Sequence, residues 1–253
     1  MKIKKKCGKY KIGEKNGKGK EYIIYTNILI FEGEYKNGIR NGKGKEYYNI
    51  GKSTFEGEFL KGKRWNGNGY NINGNLEFEI KDGEGNIKDY NEYGKLEFEG
   101  EYKNGERNGE GKEYYYDDKL KFEGSYLNRA KNGKGKEYYY NGNLKFEGEY
   151  KNGERNGKGK EYYNNGKLRF EVEYLKGKRW KGKGNNKNSN IEYEIKDGEG
   201  DIKEYNEYCK LEFEGEYKNG ERNGKGKEYN EYDKLEFEGV YKNGERNGNG
   251  KEY

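Results

Sequence analysis

FEGEYKNGERNGKGKEY, Phe146 to Tyr162, decides the fold, and it returns unchanged at Phe213 to Tyr229. In its first five residues Phe146, Gly148 and Tyr150 alternate with Glu147 and Glu149, the period-2 pattern of a strand with one polar face. Asn152-Gly153 follows, and Asn-Gly is the strongest short-range hairpin signal because both residues tolerate positive φ. The return strand, Gly157 to Tyr162, leads through a second turn at Asn165-Gly166 into the next unit. Glycine recurs every few residues and no apolar 3.6-residue period is present, so helix is excluded.

Near copies begin at Phe31, Phe55, Phe98, Phe122, Phe170 and Phe237, a worn copy at Lys6, and shortened copies at Phe78 and Tyr193. The starts 31, 55, 78, 98 and 122 reappear 115 residues later, and the irregularities travel with them. KGKRW at Lys61–Trp65 returns at Lys176–Trp180, and IKDGEG at Ile80–Gly85 returns at Ile195–Gly200. A block of five units was therefore duplicated intact. The expected organisation is a basic segment with a degenerate repeat over 1–30, a first block over 31–145 and a second over 146–253, in one continuous array.

Composition limits what such an array can bury. Ile, Leu, Val and Phe make up about 15% of the chain, below the roughly 20% at which disorder becomes the default. Against that, 53 basic and 47 acidic residues nearly cancel, and 29 Tyr and 10 Phe fall at fixed spacing. A thin aromatic layer of this kind is stable only when many copies stack. The fold class is all-β: an elongated single-layer antiparallel meander of tandem β-hairpins, an open solenoid or trough. Twenty-two strands at roughly 4.8 Å each predict an array on the order of 100 Å long. The Gly-x-Gly of each return strand, Gly42 and Gly44 or Gly157 and Gly159, clears one face, and aromatic rings of adjacent strands are expected to lie across both glycines. Val172 occupies one of the glycine positions.

The spacing Phe146, Gly148, Tyr150, Gly153, Gly157, Gly159 resembles the MORN repeat (membrane occupation and recognition nexus), and the resemblance spans nearly the whole chain. Tyr stands where that family commonly has Trp, and Asn156 where it commonly has His. The resemblance implies an antiparallel meander, self-association, and work as a scaffold near membranes or cytoskeleton or as a grooved platform for partner peptides. In some members it also implies acidic-phospholipid binding.

Chemistry is sparse. With no histidine and only Cys7 and Cys209, a Cys/His zinc site, a disulfide framework and a Ser-His triad all lack their residues. Gly177 to Lys183 begins like a phosphate-binding loop, but Gly184 stands where Ser or Thr must hold magnesium. No catalytic residue, metal or cofactor is assigned, and the chain reads as a non-enzyme. Residues 1–30 carry nine Lys and two Glu, so Lys2, Lys4, Lys5 and Lys6 are candidate contacts to an anionic membrane surface, at about 1 kcal/mol per basic residue. The only tryptophans, Trp65 and Trp180, read as residues added between Arg and the following Asn or Lys, either partner anchors or turn aromatics folded back on their own sheet. Nucleic acid is a poor partner because the glutamates of FEGEY offset the lysines. The chain is expected in the cytoplasm, peripheral to membrane or cytoskeleton. Its expected partner is a protein or its own copy, since an array ending on the strand before Tyr253 leaves an edge open to pairing.

Overall fold

A computed structural model describes residues 3–4, 16–23 and 26–253, in two compact units, Met1–Arg129 and Ala130–Tyr253. Among the described residues there is no helix. In the first unit a seven-stranded antiparallel sheet runs in chain order from Ile3–Lys4 to Leu76–Ile80. Gly85–Tyr90, Leu96–Lys103, Glu106–Tyr114 and Leu120–Leu127 follow, again in chain order. In the second unit six consecutive strands run from Ala130–Tyr138 to Ile191–Ile195, and a five-stranded sheet then runs from Gly200–Tyr205 to Glu245–Glu252. Neither unit closes into a barrel.

Turn chemistry explains the meander. Asn152 (φ 52°) and Gly153 (φ 89°) are both left-handed, as a two-residue hairpin turn of the twisted sheet requires. The connector turns differ: Gly142 (φ 86°) donates its N–H to the Tyr139 carbonyl at 2.9 Å and alone is left-handed. Asn141 Oδ1 locks the connector by accepting the Asn143 N–H at 3.0 Å. Cys209 (φ 66°) fills the connector position that Gly94 (φ 78°) holds in the first unit.

Within the hairpin of Phe146, Gly148 pairs with Gly159 and Tyr150 with Arg155, so Asn156, Gly157 and Lys158 bulge opposite Glu149. The two return-strand glycines have different jobs, and the expectation that rings cover both is corrected here. A Cβ on Gly159 would lie 2.6 Å from Phe146 Cε2, and one on Gly148 would lie 2.6 Å from Phe146 Cζ, so that ring covers its own hairpin's glycine pair. Gly157 lies in the bulge at φ 75°, and a Cβ there would meet Glu149 Oε2 at 2.5 Å. It is glycine for its backbone and for the carboxylate folded onto it. Phe146 meets Tyr150 edge-on at 5.5 Å and Tyr174 of the next hairpin at 5.7 Å. By this lattice Phe31, Phe55, Phe98, Phe122, Phe146, Phe170 and Phe213 reach 0% exposure in a single-layer sheet.

The shortened copies do not zip into paired hairpins. Leu76–Ile80 and Gly85–Tyr90 share only the Lys81–Glu84 bridge, and the corresponding strands of the second unit share only Lys196–Glu199. Ile80 and Ile87, both 1% exposed, occupy the places of Gly148 and Gly159. Those glycines pack so closely that a Cβ on one would lie 2.7 Å from the other's Cα. Two branched side chains there force the strands apart and fill the opening themselves. Val172 is tolerated because both its cross-strand partners, Gly159 and Gly182, are glycine.

Trp65 and Trp180 are not insertions. Arg64 to Gly67 covers in three steps what Arg155 to Gly159 covers in four, with Trp65 alone unpaired between Arg64 and Asn66. Each half-buried indole spreads over the tight turn of the shortened copy that follows. A Cβ on Gly83 would lie 2.7 Å from Trp65 Cζ3, and one on Gly198 would lie 2.8 Å from Trp180 Cζ3. Gly83 and Gly198 also donate their N–H to the Trp65 and Trp180 carbonyls, at 2.8 and 2.7 Å.

Candidate functional site

Period-2 alternation gives each sheet two faces of different character. On the aromatic face arginines cap most of the Phe rings: Arg40 lies 3.9 Å over Phe31, Arg155 4.0 Å over Phe146 and Arg222 4.2 Å over Phe213, while the Phe122 unit carries Lys131 at the corresponding position. The same guanidiniums alternate with carboxylates in a ladder across the strands. In the first unit it runs Glu21, Arg40, Glu46, Arg64, Asp89, Arg107, Glu113, with separations of 2.5 to 3.6 Å. In the second it runs Glu137, Arg155, Glu161, Arg179, Glu204, Arg222, Glu228, Arg246.

Glu161 shows how the ladder is held. It is 5% exposed, receives Arg179 at 2.8 and 2.7 Å, and accepts the Tyr174 hydroxyl. Burial opposes its charge, but Arg179, with Arg169 and Arg155 behind it, holds the carboxyl far below the usual carboxylate range. Burial, then the Glu161 charge, push the Tyr174 phenol up. The ladder's charges pair within this face, and the buried rings beneath it hold the array together.

The opposite face carries lysine, glutamate and tyrosine. Glu147 pairs in register with Lys160, and Lys160 with Glu171. Ion pairs form between Lys20 and Glu32 at 2.9 Å and between Lys45 and Glu56 at 3.0 Å. In several units the last tyrosine donates its hydroxyl back to a glutamate: Tyr114 to Glu99 at 2.5 Å, Tyr162 to Glu147 at 2.7 Å, Tyr229 to Glu214 at 2.6 Å. Burial and the Glu214 bond push the Tyr229 phenol up to about 12, and the Tyr47 hydroxyl and Lys20 lower Glu32. Each unit has a groove on this face. The first unit's groove, about 1120 Å³, has walls that include Lys18, Lys43, Lys45, Glu32 and Glu56, over a floor of Gly19, Gly33, Gly44 and Gly57. The second unit's groove, about 740 Å³, is lined among others by Lys203, Lys225, Lys227, Glu214, Glu238 and Val240.

A family model described as the MORN repeat matches residues 31–53, 98–119, 122–144, 146–167, 213–230 and 237–253. The chain belongs to the MORN-repeat family. The stretches between matches are the Trp-bearing and shortened copies, the units whose register departs from the rest. The MORN repeat is a non-catalytic repeat, consistent with a binding or scaffold protein. No curated protein matches the sequence.

On this MORN array the structural residues Phe146, Gly148, Tyr150, Gly153, Gly157 and Gly159 converge on one hairpin. Trp65 and Trp180 lie one in each unit, on the turns of the shortened copies. Lys2, Lys5 and Lys6 fall outside the described residues. Lys4 pairs with Tyr22 through its backbone, and its side chain falls outside them too. Among the described residues no three Cys, Asp or Glu side chains gather as a metal site would need, and no helix is long and apolar enough to cross a membrane. Sequence reasoning missed the arginine–carboxylate ladder. Its signal was the Arg of NGER and the Glu of KEY, 18 residues apart between consecutive units, as in Glu137 and Arg155.

Proposed function

We propose that this MORN array is a non-catalytic scaffold that holds protein partners on its Lys/Glu/Tyr face, while the aromatic face only holds the array together. The observation that supports this most directly is the 0% exposure of the phenylalanines beneath the ladder, with the grooves of both units on the opposite face. Extended polypeptide suits such grooves, since main chain and alternating charges can be met strand by strand. Lysine-directed cross-linking of partners captured from native cells, read by mass spectrometry, tests it. Adducts should concentrate at Lys20, Lys45, Lys203 and Lys227. Adducts confined to the turns, or no partner at all, would sink the reading.

Self-association on the same face is the homotypic form of this proposal, and light scattering across a concentration series detects it. A second reading, peripheral docking on anionic phospholipid through Lys2, Lys4, Lys5 and Lys6, is supported by nine Lys against two Glu in residues 1–30. Equal liposome flotation with and without those four lysines would end it. Either reading suits a cytoplasmic protein peripheral to membrane or cytoskeleton.

A further inference from the structure

On the Lys/Glu face of the first unit, lysines without an ion pair surround one corner. Glu34 stands opposite Lys18 in register, but its carboxylate folds onto the bulge at Gly42 and accepts the Lys43 N–H at 3.2 Å. Glu58 stands opposite Lys43 and takes the Asn66 side-chain amide at 3.4 Å. Among the described residues Lys18, Lys36, Lys43 and Lys61 consequently make no ion pair. Amid them are two exposed aliphatic side chains, Ile39 at 49% and Leu60 at 37%. Ile39 pairs with Lys36 across its turn and leans over the neighbouring turn, its Cγ2 3.3 Å from where a Cβ on Gly62 would sit. This corner adjoins the 1120 Å³ groove, which Lys18 and Lys43 line.

The duplicated block supplies a natural comparison. Lys36, Lys43, Leu60 and Lys61 return 115 residues on as Lys151, Lys158, Leu175 and Lys176, but Ile39 returns as Glu154. Glu154 takes the same place over the next turn, its Oε2 3.8 Å from where a Cβ on Gly177 would sit. The two copies thus share their lysines and leucine at this corner and differ in an aliphatic side chain against a carboxylate.

We infer that the Ile39–Leu60 corner of the first unit docks an extended peptide segment carrying carboxylates on either side of an aliphatic side chain. The inference rests on the scaffold reading above. The aliphatic anchor removes Ile39 and Leu60 from water. The four lysines attract the carboxylates and orient the segment, and this contribution weakens as salt rises.

Fluorescence anisotropy with the full chain and a labelled decapeptide of Glu, Asp and Leu tests it. Binding should weaken at least tenfold in Ile39→Glu, which folds because the second block already carries that residue. It should weaken comparably in Lys18→Glu/Lys43→Glu and stay unchanged in Val240→Glu, on the second unit's groove. Glu154→Ile should create a second site and raise the stoichiometry from one to two. Unchanged binding in Ile39→Glu, or equal binding of a Lys/Leu decapeptide, overturns the inference. Loss of phosphatidylserine-vesicle binding in Ile39→Glu, with no peptide binding, assigns the corner to a membrane and also overturns it. If the acidic peptide fails while cross-links still map to the grooves, the scaffold reading stands and this inference alone falls.

Discussion

Replacing Gly159 with alanine should destabilise the hairpin of Phe146, although the backbone alone favours the change. Gly159 lies outside the left-handed region. At such a site alanine ordinarily stabilises a fold by about 0.4–1 kcal/mol, because it restricts the unfolded chain. Here the added methyl would lie 2.6 and 2.7 Å from Phe146 Cε2 and Cζ and 3.3 Å from the Glu147 carbonyl oxygen. The ring has little room to withdraw, with Tyr150 and Tyr174 edge-on beside it and Arg155 at 4.0 Å above. Overpacking of this kind costs about 1–3 kcal/mol, which outweighs the gain and leaves a net loss of up to about 2.5 kcal/mol. Because a repeat array responds locally, native-state hydrogen exchange of residues 144–162 is the suitable assay. The unaltered hairpin of Phe213, identical in sequence from Phe213 to Tyr229, is the internal reference. Equal or greater protection of the Gly159→Ala hairpin would refute the packing of Phe146 against this glycine.

Glu161→Gln should cost about 3 kcal/mol near neutral pH, because half-buried Arg179 loses its charged partner; urea titration measures it. Since the folded pKa of Glu161 is depressed, its stabilisation is complete above the unfolded carboxyl pKa of about 4.3 and disappears as pH falls toward the folded value. Wild type should therefore lose more stability on acidification than the Gln variant. Tyr139 behaves oppositely: burial pushes its phenol up to about 12, so its contribution is present below the unfolded pKa and lost as pH rises through that value. Ultraviolet titration should show its ionisation delayed relative to that of free tyrosine. Trp65→Ala should lower stability by about 2 kcal/mol, part of the full cost of deleting a buried indole, and should loosen the Asp82–Gly83 turn in hydrogen exchange.

The local rules of this fold were legible in the sequence because they are local. Alternation over Phe146 to Tyr150 and the paired positive-φ demand of Asn152-Gly153 act within a few residues. What escaped was set by register across neighbouring hairpins. Gly157 and Gly159 look alike in the sequence, but the bulge opposite Glu149 turns one toward a carboxylate and leaves the other beneath a ring. Trp65 looks like an added residue letter by letter, but strand pairing gives the chain a shorter path from Arg64 to Gly67. The shortened copies carried the plain turn signals Asp82-Gly83 and Asp197-Gly198, yet Ile80 and Ile87 at a glycine crossing keep the first of them from zipping shut. On the partner-facing side, the lysines of residues 1–30 drew attention as net charge. The unmatched cluster around Ile39 emerges only when Glu34 is seen folded onto the bulge.

Hydroxyl-radical footprinting of the intact chain, read residue by residue by mass spectrometry, tests the division of labour between the two faces most directly. Phe31, Phe98, Phe146 and Phe213 should remain unoxidised while the exposed turn tyrosines Tyr93, Tyr116 and Tyr232 oxidise readily. Oxidation of those phenylalanines at rates comparable to the turn tyrosines would show an open aromatic face and contradict the account.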